Sequence, residues 1–118
     1  MVQDSKIMDL EKALKRGLGD VAFVQMILDD FHHMLLDFMF RFKKAVANNA
    51  MVQLGRDAHE LTGAAGNLAA EQIVAAALVL EQAAKKGNLP EARDALDQVK
   101  AAIDEFENHI TRINWAEI

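Results

Sequence analysis

A chain of 118 residues is long enough for one hydrophobic core and too short for a catalytic domain joined to a regulatory one. Hydrophobic residues make up 52%, rich in alanine, leucine and methionine, with one proline and no tyrosine, a balance that favours an all-helical domain over a sheet or a disordered tail. The net charge of −5 argues against a nucleic-acid partner, which needs a basic face against phosphate, and the lack of cysteine removes disulfides, thiolate metal sites and cysteine nucleophiles.

Helix punctuation divides the chain into five segments. The first runs from about residue 5 to 16, carries Ile7, Leu10 and Leu14, and stops at Gly17, a candidate left-handed cap. Asp20 caps the second, about 20–47, whose stripe of Val24, Ile27, Phe31, Leu35, Phe38, Phe42 and Ala45 advances by threes and fours. Asn48 and Asn49 break that pattern. A third helix, about 50–68, follows with Leu54, Ala58, Leu61, Ala65 and Leu68 as its stripe. The fourth, about 71–86, uses Ile73, Ala76, Leu80 and Ala84 and ends at Gly87. Asn88, Pro90 and Glu91 then open the fifth, about 89–115, with Ala92, Leu96, Val99, Ile103, Phe106, Ile110 and Ile113. Four long stripes joined by short loops predict an all-α fold, an up-and-down antiparallel four-helix bundle with a short N-terminal helix, forming a single domain.

No signal-peptide pattern opens the chain. The longest apolar cluster, Met34 to Phe42, is interrupted by Asp37 and Arg41 and falls short of the roughly 20 residues that cross a bilayer. A cytoplasmic location without membrane contact is expected, including as the cytoplasmic module of a membrane sensor kinase.

The third helix raises a question. Gly55, Gly63 and Gly66 surround His59 in a segment otherwise suited to a helix, and each interior glycine costs about 1 kcal/mol relative to alanine. With Leu61 at zero and about 100° per residue, the stripe lies within about 60° of Leu61 and His59 at about 160°. Gly66 falls near 140°, Gly55 near 120° and Gly63 near 200° by the same counting, with Val52 and Ala70 continuing the face and Arg56 and Thr62 flanking it. The histidine is thus expected to face water in a clearing where a partner's backbone can approach. A close helix crossing at the glycines is the plainer reading.

The residues narrow what that imidazole does. A free imidazole titrates near pH 6.5 or so, leaving one ring nitrogen with a lone pair at neutral pH. Acid–base or triad chemistry needs a second polar group, and His59 has glycine at minus four, plus four and plus seven. "HELTG" lacks the second histidine of a zinc protease. Asp29 with His32 and Asp30 with His33 have metal-site spacing, but the stripes contain no glutamate facing them, so these histidines and His109 are expected at the surface and no metal is expected. A nucleophilic histidine that takes and passes on a phosphoryl group remains, with no nucleotide loop in the chain.

"AHELTGAAGNLAAEQIVAAALVLEQAAKKGNLPEA" resembles the histidine-containing phosphotransfer (HPt) domain. The family's histidine, leucine, glycine, alanine and second small residue fall on His59, Leu61, Gly63, Ala65 and Gly66, with Asn67 and Leu68 following, and the likeness runs from "DLEKAL" at Asp9 through the last helix. The resemblance implies a carrier in a two-component phosphorelay. His59 would take phosphate, on Nε2, from an aspartate of one receiver domain and give it to another, with no ATP-dependent kinase activity of its own. Partners would be receiver domains of response regulators or of a hybrid histidine kinase. No cofactor would be bound, magnesium belonging to the receiver, and a monomer is expected. Docking would use the exposed face around Val52, Gly55, Gly63, Gly66 and Ala70 and the preceding helix. Thr62 departs from the pattern, standing where the family commonly has a lysine that steadies the phosphoryl oxygens. Arg56, Lys43 or Lys44, or the Thr62 hydroxyl, are the candidates to replace it.

Two other readings stay open: a receiver-binding bundle that is never phosphorylated, and the dimerisation domain of a sensor kinase, whose box also begins "HEL" but continues with a basic residue, threonine and proline. Met26, Leu36 and Phe40 project off their stripe, to be covered by the N-terminal helix or to serve as a docking or dimer surface. Lys85, Lys86, Glu91, Arg93 and Asp94 are expected on solvated faces and loop ends.

Overall fold

The computed structural model describes residue 15 and residues 19–117. The predicted N-terminal helix, with Ile7, Leu10, Leu14 and the Gly17 cap, falls outside the described residues except for Lys15. The described chain forms α1 (Val21–Ala47), α2 (Met51–Asn67), α3 (Glu71–Lys85) and α4 (Leu89–Arg112), followed by a 3-10 turn at Trp115–Glu117, with no strand among the described residues. The four helices follow one another up and down. α1 packs on α2 and α4, and α3 packs on the same two. No described helix is long and apolar enough to cross a membrane.

The N-caps predicted at Asp20 and Asn88 are present. The Asp20 side chain accepts from the Phe23 N–H and Asn88 from the Glu91 N–H, both at 3.1 Å. The three connections share one device. Residues 49, 69 and 87 take positive φ, 53°, 52° and 66°, and the next N–H in each case reaches back to the carbonyl of Ala45, Ala65 or Ala83. These are Schellman closures, which normally recruit glycine or asparagine. Ala69 is the exception: its left-handed backbone costs about 1–2 kcal/mol, and burial of its methyl group, 6% exposed, offsets part of that.

One core runs through the bundle, and its composition is lopsided. α1 contributes Phe31, Leu35, Phe38 and Phe42, with Phe31 edge-on to Phe106 of α4 at 5.4 Å. The buried faces of α2 and α3 carry Ala58, Ala65, Ala76, Ala77, Ala83 and Ala84 beside a few leucines and an isoleucine. Small residues on both sides of that seam bring the two helices close, so polar groups on one reach the other. Details of two stripes shift: Leu28 and Ala95 are buried where Ile27 and Leu96 were expected, these being half-buried. The last helix ends at Arg112, and Ile113 is extended.

A second link fixes α1 against α2. The Arg41 guanidinium donates to the Asp57 carboxylate at 3.1 Å, pairs with Glu60 at 3.4 Å and Asp37 at 3.0 Å, and lies over the Phe38 ring at 4.4 Å. Asp57 is buried and also accepts from the Gln53 amide at 3.0 Å. This clamp is two residues from His59.

Candidate functional site

His59 stands on the outer side of α2, its side chain 77% exposed. In a helix the side chain leans back over the preceding turn, so the ring lies above Gly55, on the side facing α3. A Cβ at Gly55 would sit 3.5 Å from that of Ala84, which is ordinary contact. The glycine therefore leaves room beneath the ring more than it relieves a clash, and it belongs to the α2–α3 seam as much as to the open face. At Gly63 and Gly66 a Cβ would meet no atom of the described residues within 4 Å. Packing among the described residues does not require a glycine at either position.

Across the seam Glu81 of α3 reaches the ring. Its carboxylate oxygens lie 3.3 Å from His59 Nδ1, and its side chain is 7% exposed. The Lys85 ammonium, one turn on, approaches the same carboxylate at 3.0 Å. Lys85 first, then the His59 ring, holds the Glu81 carboxyl below its ordinary range, against the desolvation that burial imposes. An ionised carboxylate only accepts hydrogen bonds, so Nδ1 must donate. In the neutral ring this leaves the proton on Nδ1 and the lone pair on the far nitrogen, Nε2, toward solvent.

This corrects the expectation that no polar group accompanies the histidine. Glu81 was missed because it comes from another helix, and Lys85 belongs to the site, not merely to a solvated face. A signal was present: Glu81 falls four residues after Ala77, on the buried side of its helix, with a lysine four residues later.

The other candidates divide. Ala70 is fully buried and is not part of the exposed face. Helical counting fails there because α2 ends at Asn67, and the Schellman closure turns the residue after the left-handed one into the core. Val52 is 73% exposed and stays on the face. The Thr62 hydroxyl donates to the Ala58 carbonyl at 3.0 Å, so it is already engaged within its own helix. Arg56 is exposed one turn before His59. Arg41 faces α2, and two residues further is about 200° around the helix, so Lys43 points away from His59 while Lys44 remains on the α2 side. His32 is engaged with Glu107 of α4 at 2.6 Å, and His33 lies 4.0 Å from Asp29.

A histidine on an open helix face of an antiparallel four-helix bundle is the arrangement that the HPt resemblance implies, and the carboxylate on its inner nitrogen is added by the structure. The family model of the Hpt domain matches residues 22–109. The chain belongs to the Hpt domain family. Comparison with curated proteins gives no match, and neither does comparison with solved structures. Hpt domains are phosphocarrier modules of two-component phosphorelays and work with receiver domains; they are not kinases. The matched span includes all of α1, α2 and α3 except Val21, and α4 as far as His109.

Proposed function

We propose that this Hpt domain relays a phosphoryl group between receiver-domain aspartates through Nε2 of His59. The observation that carries the reading is the buried carboxylate of Glu81 on Nδ1, 3.3 Å away. In acceptance, the Nε2 lone pair attacks the phosphorus of a receiver's aspartyl phosphate, the N–P bond forms as the P–O bond breaks, and the aspartate leaves as carboxylate. Nδ1 keeps its proton, and the phosphorylated ring carries a positive charge that faces Glu81. Donation to a second receiver is the same step reversed. Magnesium and the acidic pocket are assigned to the receiver, and no bound cofactor to this chain. The partners are receivers of response regulators or of a hybrid histidine kinase, met by a monomer in the cytoplasm.

The docking half of this reading is tested at Gly63. Gly63→Leu replaces a helical glycine over open space, so stability should rise by about 0.5–1 kcal/mol, while the added side chain blocks the close approach of a receiver. The phosphorylated parent, mixed with a panel of receiver domains and magnesium, is expected to lose its label to at least one of them within minutes. The variant should take phosphate from a small donor as fast as the parent and transfer to that receiver at least about tenfold more slowly. Parent-like transfer by Gly63→Leu would remove Gly63 from the docking face, and failure of the parent with every receiver would count against the relay.

A further inference from the structure

The phosphoryl group brings close to two negative charges onto a helix whose expected lysine is a threonine, and the hydroxyl of that threonine is spent on the Ala58 carbonyl. The question is which cation replaces it. Lys85 approaches from α3. Its ammonium lies 3.0 Å from Glu81 Oε2, and that same oxygen lies 3.3 Å from His59 Nδ1, so one carboxylate oxygen separates the cation from the ring. Lys85 is also mobile enough to serve: its side chain is 62% exposed, on a flexible four-carbon stem, and it leans toward the start of its helix, over Glu81. Gly55 completes the arrangement. It faces Ala84, the neighbour of Lys85, and offers no side chain to stand between that lysine and the ring above.

We propose that Lys85 is the phosphoryl-binding cation of this domain, supplied from the neighbouring helix in place of the lysine missing at Thr62. The inference rests on the phosphotransfer reading. In the resting protein Lys85 and His59 share the Glu81 carboxylate. When phosphate is on Nε2, the Nδ1–H to Glu81 contact persists and the ammonium pivots about the carboxylate to meet a phosphoryl oxygen. Positive charge there lowers the repulsion that an incoming phosphoryl donor feels. Arg56 is the competing cation, but it sits on the histidine's own helix without a link to Glu81.

The test uses phosphoramidate. The Nε2–P bond forms as the donor's P–N bond breaks and ammonia leaves with the electron pair. Uptake is followed by intact mass for the parent, Lys85→Met, and Lys85→Met combined with Thr62→Lys, at low and high salt. Lys85→Met is expected to slow uptake about tenfold and to flatten its salt dependence, because the screened charge has gone. Thr62→Lys should restore the rate to within about threefold of the parent. Nitrogen NMR should still find the proton on Nδ1 in Lys85→Met, and Lys85→Gln serves if that variant folds poorly. Parent-like uptake and salt dependence in Lys85→Met would overturn the assignment while leaving the carrier role standing. So would slow uptake that Thr62→Lys does not rescue, which would reduce Lys85 to a support for Glu81. A parent that takes up no phosphate would overturn the carrier role and this inference with it.

Discussion

Glu81→Ala is expected to lower the rate at which His59 accepts a phosphoryl group by about ten- to hundredfold, the range found when the carboxylate that orients a metal-ligating imidazole is removed. Without the carboxylate on Nδ1, the ring proton is free to occupy either nitrogen, and the tautomer with its lone pair on Nε2 is no longer imposed. The positive charge on the phosphorylated ring also loses its counter-ion. Uptake of phosphate from phosphoramidate, with circular dichroism to show that the helices persist, measures the effect. Glu81→Gln should fall between the parent and Glu81→Ala, since it keeps an acceptor and loses the charge. Rates within twofold of the parent for both variants would remove Glu81 from the mechanism. The same group leaves a mark on stability. Its carboxyl is held below the ordinary range in the folded state, so its contribution is fully present above the unfolded value of about 4.3 and is lost as pH falls through the lowered folded value. The acid limb of the stability–pH profile should therefore be shallower in Glu81→Gln than in the parent.

Arg41→Ala is expected to destabilise the fold by about 3 kcal/mol, because it strands a buried charge. The Asp57 side chain is 4% exposed and, among the described residues, keeps only the Gln53 amide once the guanidinium is gone. The contact with the Phe38 ring disappears as well. Urea unfolding of Arg41→Ala and of Arg41→Ala with Asp57→Asn separates these contributions. The double variant should recover about half of the loss, since a neutral amide is cheaper to leave under-paired than a carboxylate. A loss below about 0.5 kcal/mol in Arg41→Ala would mean that the clamp is an ordinary surface pair. Because Asp57 lies two residues before His59, the clamp also sets the rotation of α2 that turns His59 outward.

The architecture was legible where a local rule decides the outcome. Stripes at steps of three and four located four helices to within about three residues at each end, and Asp20 and Asn88 sit at the caps their side-chain chemistry suits. The outward position of His59 followed from helical periodicity alone. What stayed hidden required the register between helices. Glu81 between Leu80 and Gln82 reads as one more acid on a surface helix until α2 and α3 are laid side by side, and Arg41 with Asp57 does so for α1 and α2. Ala70 was misplaced because angular counting was carried past the point where the helix stops. Ala69 takes a backbone conformation that its residue type disfavours, so no composition rule marks it. Met26, Leu36 and Phe40 are 55%, 60% and 66% exposed, as their angles off the α1 stripe imply, and the segment proposed to cover them lies outside the described residues.

Whether His59 accepts phosphate is decided by intact mass after incubation with phosphoramidate, with His59→Gln alongside. One acid-labile phosphate is expected on the parent and none on His59→Gln, with the label on Nε2 by phosphorus–nitrogen NMR. A parent that gains no phosphate, or a His59→Gln variant that gains as much, would contradict acceptance at His59.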